Sequence, residues 1–213
     1  MPRRNIPPAI PSGHKAPPAL SESGMGWFRK TIFLCGVFYA GAQVHAAEGP
    51  AEFGGATPLE WSRRLAVSDM ARRGDTMFLG GSNPKARWDY TTSLFGLSLL
   101  RLAERTGDAS FADYGAKTVE SFIGPDGAIA TYKRDEFNID MIPPGKVLLV
   151  RWEQGHRDPR FKAAIETLRG QLQDHPRTSE GGYWHKLRYP HQMWLDGLFM
   201  ASPFLAHYGQ VFA

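Results

Sequence analysis

Cysteine is nearly absent: the 213 residues hold one, Cys35. That excludes a disulfide scaffold and a thiolate metal site. Paired Cys, an HExxH helix and a GxSxG elbow are all missing, which removes zinc peptidase and α/β-hydrolase readings. The glycines of Leu79-Gly80-Gly81-Ser82 follow no strand pattern, so they do not form a phosphate-binding loop. Histidines 156, 175, 185, 191 and 207 lack metal-ligand spacing. No apolar run is long enough to span a bilayer as a stable helix. With 42% apolar and 22% charged residues, the chain is neither disordered nor collagen-like nor a coiled coil.

The N-terminal region reads as leader rather than fold. Residues 1–24 hold six prolines and few large apolar residues, the composition of a disordered leader or an over-long gene start. From Met25 the pattern becomes that of a signal peptide over 25–46. Arg29 and Lys30 precede the short apolar run Thr31 to Ala42, and Val44-His45-Ala46 offers a cleavage site before Ala47. The expected location is therefore exported, periplasmic or extracellular, with no membrane contact after cleavage. Five basic residues and one acidic residue lie in this leader, so residues 47–213 hold 20 of each sign. A neutral mature chain has no basic face for nucleic acid. Its 167 residues suffice to bury a real core.

The mature sequence predicts an all-α fold. Thr57-Pro58-Leu59-Glu60 is a capping box with proline at the first helical position, opening a helix over about 58–72 that Gly74 ends. Further helices are expected over about 88–105, 109–122, 144–154, from 159 onward, and 193–208. In the fifth, Phe161, Ala164, Ile165, Leu168 and Leu172 mark one apolar face. Residues 126–139 lack helical period and suggest a loop or short hairpin. Arg101, Asp108 and Phe111 recur as Arg151, Asp158 and Phe161, each offset by 50. A helical hairpin repeated at this period suggests a solenoid or a closed α/α toroid.

Four places could carry chemistry. Asp196 lies in MWLDGLFM, where large apolar neighbours on both sides predict burial, a raised pKa and a proton available near neutral pH; a satisfied structural Asp is the alternative. Asp140, in FNIDMIPPGKVLL, is either a working carboxylate or a turn and N-cap residue. His185 sits in GGYWHK beside Tyr183, Trp184 and Lys186, a combination of rings and polar tips suited to sugars, or else a loop packed by its own aromatics. Trp88 and Tyr90 open a helix, where core packing is the plainer role.

The string GGYWHKLRYPHQMWLDGLFMASPFLAHY, with RWDYTTSLFGL and FNIDMIPPGKVLL, resembles glycoside hydrolase family 105, the unsaturated rhamnogalacturonyl hydrolases, and the related family 88, the unsaturated glucuronyl hydrolases. The resemblance runs from about Leu59 to the end. It implies an (α/α)6 toroid, with Asp196 as catalytic acid and base, Asp140 as assisting carboxylate, and Tyr90, Trp88, His185 and Trp194 lining the sugar site. It implies as substrate an oligosaccharide left by a polysaccharide lyase, with a 4,5-unsaturated uronic acid at its non-reducing end, and neither metal nor cofactor. In that chemistry an acid protonates C4, water adds at C5, and the hemiketal opens to expel the rest of the sugar chain.

Against such a toroid the sequence stops about halfway round. The expectation is a partial domain over 47–213 with exposed apolar flanks, completed by a second copy or a separate chain if at all. An inactive fragment, or a non-catalytic sugar-binding or assembly module that kept the aromatic loop, is the alternative. A different toroid enzyme, such as a sugar epimerase, would need more core-lining histidines. The export reading is checked by N-terminal sequencing of the secreted protein, which should begin at Ala47; a secreted product that still carries Met25 would refute it.

Overall fold

The computed structural model describes residues 51–76 and 86–212. The expected leader and signal peptide, with Cys35, and the 79–82 glycines lie outside the described residues. Among the described residues there are six α-helices and no strand. They are α1 Pro58–Arg73, α2 Tyr90–Thr106, α3 Ala109–Glu120, α4 Pro144–Glu153, α5 Pro159–Asp174 and α6 Gly197–Phe212. No described helix is long and apolar enough to cross a membrane.

The helix starts follow from local hydrogen bonding. At α1 the capping box forms: the Thr57 hydroxyl accepts from the Glu60 amide at 3.2 Å, and Glu60 accepts from the Thr57 amide at 2.7 Å. The Thr57 amide, together with the Thr57 hydroxyl that also donates to the carboxylate at 2.9 Å, holds the Glu60 carboxyl below its usual range. The repeat predicted at an offset of 50 appears as two matched hairpins. The α2–α3 turn passes through Gly107 in the left-handed region, and Asp108 caps α3 at Ser110 N, 3.0 Å. The α4–α5 turn passes through Gly155 at φ 94°, and Asp158 caps α5 at Arg160 N, 2.8 Å. Phe111 and Phe161, the equivalent residues one turn on, are both buried.

Two helix starts shift. The second helix starts at Tyr90 rather than Trp88, because the Asp89 side chain caps it at the Thr91 and Thr92 amides. The sixth starts at Gly197, not near Met193, because residues 193–196 instead form the turn that brings the Trp194 carbonyl to Gly197 N. Residues 121–143 resolve into turns, a single bridge between Ile123 and Ile129, and two short 3-10 turns, Arg134–Glu136 and Ile139–Met141.

Helix α4 is the centre of the core. Pro144 through Val150 are all buried, seven consecutive residues. A helix without a solvent face must be packed on all sides, and α4 touches α2, α3, α5 and α6. Lys146 sits in that run, and burial pulls its ammonium down to about 8. Two apolar stretches are exposed. One is Phe53, Leu59, Trp61, Leu65 and Val67 around α1; the other is Leu187, Met193, Trp194, Leu195, Leu198 and Phe199 before and at the start of α6.

The α2–α3 contact is glycine on glycine. A Cβ at Gly96 would lie 2.5 Å from Thr118 Oγ1 and 2.9 Å from the Gly115 carbonyl. Gly96→Ala should therefore overpack the hairpin and cost about 1–3 kcal/mol, read as a lower urea midpoint of the full chain. An unchanged midpoint would show that the two helices separate freely.

Candidate active site

Asp140 is held by its local turn. It lies in the 3-10 turn Ile139–Met141, whose start is capped by Asn138 Oδ1 accepting from the Asp140 amide at 3.0 Å. The residue is 8% exposed. A carboxylate so enclosed needs partners, and the segment 183–194 supplies two. His185 Nε2–H donates to Oδ1 at 2.8 Å, and Lys186 Nζ lies 2.6 Å from Oδ2. Backbone bonds lock the same juncture: the Ile139 amide donates to the His185 carbonyl at 3.1 Å, and the His185 amide to the Gln192 carbonyl at 2.7 Å.

The His185 ring is buried between its neighbours. Trp194 stacks on it at 4.0 Å with a 19° interplanar angle, and Tyr189 packs on Trp194 at 5.4 Å. The other ring nitrogen, Nδ1, has no hydrogen-bond partner among the described residues and faces Gly197, where a Cβ would come within 3.2 Å. Asp196 immediately precedes α6, and its carbonyl accepts the Phe199 and Met200 amides at 2.9 and 3.3 Å. Its carboxylate makes no hydrogen bond or ion pair to the described residues. Ligand atoms of Asp140, His185 and Asp196 lie within 4.8 Å of one another. A metal ion there would have to compete for Asp140 with the Lys186 ammonium and the His185 N–H, both already seated on its oxygens.

Bonds from His175 and Gln171 fix the aromatic segment. His175 caps α5, and its Nε2–H donates to the Trp184 carbonyl at 2.9 Å. Its Nδ1 accepts from Gln171 Nε2 at 3.3 Å, and the same amide donates to the Asn138 carbonyl at 3.3 Å. Gln171 Oε1 accepts from the Tyr132 hydroxyl at 2.6 Å. One buried network thus ties residues 132, 138 and 184 to α5, on both sides of the Asp140–His185 bond. Burial holds His175 below its ordinary value and pushes Tyr132 up to about 12.

Beside Asp140 opens a cleft of about 990 Å³ whose walls include Tyr90, Lys133, Lys186 and Arg188. The predicted residues fall into place unevenly. Asp140, His185, Trp194 and Asp196 come together, and Tyr90 stands on the cleft wall, 36% exposed. Trp88 is 1% exposed, with its indole N–H on the Met141 carbonyl at 2.7 Å. It braces the turn that carries Asp140 and offers no free face to a sugar, so its expected stacking role is corrected to support. The burial expected of Asp196 is also not found. Its flanking Leu195 and Leu198 are exposed, and the described residues build no apolar enclosure around it. Lys186 and His175 were not singled out from sequence. Both are placed by contacts that form only in the fold, Lys186 on the Asp140 carboxylate and His175 on the Trp184 carbonyl.

The sequence profile of Glycosyl Hydrolase Family 88 matches residues 61–213. The chain belongs to glycosyl hydrolase family 88. A solved glycoside hydrolase of family 105 from C. acetobutylicum ATCC 824 is similar in structure, with a TM-score of 0.62 and 34% identity, over 71% of this chain and 40% of that one. The fold is the all-α toroid type of families 88 and 105. This family 88 chain spans 40% of the length of that relative.

The His175 network has a pH signature. Its neutral form is favoured on folding, so below the ordinary value of 6.5 the unfolded chain binds more protons than the folded one. Stability from this group is present above pH 6.5 and is lost as the pH falls through it. The drop in urea midpoint between pH 7.5 and 5.5 should be smaller in His175→Gln than in the wild type. An equal drop in both would refute the assignment.

Proposed function

We propose that this family 88 chain is an exported hydrolase, or the part of one that carries the acid, which removes a 4,5-unsaturated uronic acid from lyase-derived oligosaccharides of the pectin or rhamnogalacturonan type. The observation that carries the reading is the contrast between the two carboxylates. Asp140 has both oxygens engaged, by His185 and by Lys186. With both oxygens held, it is suited to anchoring the site rather than to passing a proton. Asp196, close by, has no partner on its carboxyl among the described residues and suits that task.

In the proposed reaction Asp196 gives its proton to C4 of the unsaturated ring. Water adds at C5 and returns a proton to Asp196. The hemiketal then opens, the C1 glycosidic oxygen leaves with the rest of the sugar, and the uronate ends as an open-chain keto product. A single acid–base group serves both halves, so the paired-carboxylate template of ordinary glycosidases does not apply. The uronate carboxylate would meet the cationic side of the cleft at Lys186 and Arg188. The exposed Trp194 edge and Tyr90 would pack against the pyranose rings.

The exposure of Asp196 favours a second reading. With no apolar enclosure among the described residues, the aromatic segment would bind such sugars without turning them over. One experiment separates the two. The full chain is incubated with an unsaturated uronyl-rhamnose disaccharide while the ultraviolet absorbance of its conjugated double bond is followed. Hydrolysis predicts loss of absorbance in the wild type and a fall of at least about 100-fold in Asp196→Asn, with helicity unchanged. Saturable binding with no loss of absorbance would overturn the hydrolase reading in favour of binding alone.

A further inference from the structure

Helix α6 contains Pro203 in its second turn. Proline has no N–H, so the carbonyl four residues back, that of Phe199, cannot receive its helical hydrogen bond from position 203. That oxygen needs a donor from elsewhere. A side chain from another helix reaches that oxygen: Lys146 Nζ, on α4, lies 3.0 Å from the Phe199 carbonyl. The same ammonium sits 3.3 Å from the centroid of the Phe199 ring. Lys146 is 5% exposed. No acidic side chain pairs with it among the described residues; its role is met by this carbonyl and ring.

The position of this bond gives it a consequence for the site. Phe199 is the third residue of α6, and its amide is bonded to the Asp196 carbonyl. Lys146 lies in the first turn of α4, which follows the Ile139–Met141 turn that carries Asp140. The Lys146 bond therefore joins the two short segments that present the two carboxylates, across 53 residues of sequence. We infer that Lys146 is a positioning residue: it supplies the N–H that Pro203 lacks and so holds Asp196 in register with the Asp140–His185 pair. The inference rests on the proposed role of Asp196 for its kinetic consequence only. An amine donates this bond whether or not it is protonated, so the tie does not depend on pH.

The test is a rescue. Pro203→Ala restores a backbone N–H at position 203, so the Phe199 carbonyl no longer needs the lysine. Lys146→Met, Pro203→Ala and the double variant are prepared in the full chain. The ring signals of His185, shifted by the Trp194 stack two residues before Asp196, are recorded by NMR. Turnover of the unsaturated disaccharide is measured alongside. Lys146→Met should move the His185 signals and lower kcat by about 10- to 100-fold with KM within about twofold. Pro203→Ala alone should resemble the wild type, and the double variant should recover both readouts. If Lys146→Met does not fold, folding of the double variant is itself the rescue. A double variant no better than Lys146→Met, or a Lys146→Met chain with wild-type His185 signals, overturns the inference. If the wild type shows no turnover, the functional reading fails on its own, and the NMR arm still decides this one.

Discussion

A carboxylate taken out of water must be met by donors or cations, and the site is organised around how Asp140 is met. Removing either the His185 N–H or the Lys186 ammonium would leave a buried charge partly uncompensated, which is costly. Both partners come from a segment 45 or more residues further along the chain. The aromatic residues 183–194 must therefore pack against the start of α4 for Asp140 to be stable there at all. The backbone bonds at Ile139 and His185, the Trp194 stack and the His175 network all act in that direction. The last of these engages residues on both sides of the pair, so the geometry of Asp140 and His185 is set by many bonds at once.

Asp196 is placed by a different mechanism. It belongs to the residues that precede α6, and it inherits its position from how α6 docks on α4. That docking is close. A Cβ at Gly145 would fall 2.6 Å from Phe204, so helix α4 meets the α6 aromatic with bare backbone. Lys146, next in sequence, reaches the carbonyl that Pro203 leaves open. The core and the site are thus the same contact viewed from two ends: apolar packing of α4 against α6, and two carboxylates presented where those helices begin.

Much of the fold was legible in the residues. The capping box at Thr57, the Asp caps at 108 and 158, and the glycines ending α2 and α4 act within a few residues, so local chemistry suffices to read them. The hairpin repeat was legible for the same reason. The first turns of α2 and α6 were misplaced. Asp89 was read as helix rather than cap, and the apolar run at 193–196 continued the helical pattern although the chain there forms a turn. The apolar neighbours of Asp196 suggested burial, but hydrophobicity of the flanking residues does not say which face of the chain meets a partner. Among the described residues that face meets none.

The sequence by itself determined the family, the helical hairpins and the identity of the candidate carboxylates, because those rest on short-range patterns and on a specific string of residues. Tertiary structure alone decided which carboxylate is anchored and which has no partner among the described residues. It also decided that Trp88 braces the turn instead of facing a sugar, and that Lys186, His175 and Lys146 matter. Several of these depend on a contact between residues tens of positions apart, such as Lys186 with Asp140, Lys146 with the Phe199 carbonyl, or Trp88 with the Met141 carbonyl. A hydrogen bond across that separation exists only once the helices have packed, and no local spacing encodes it.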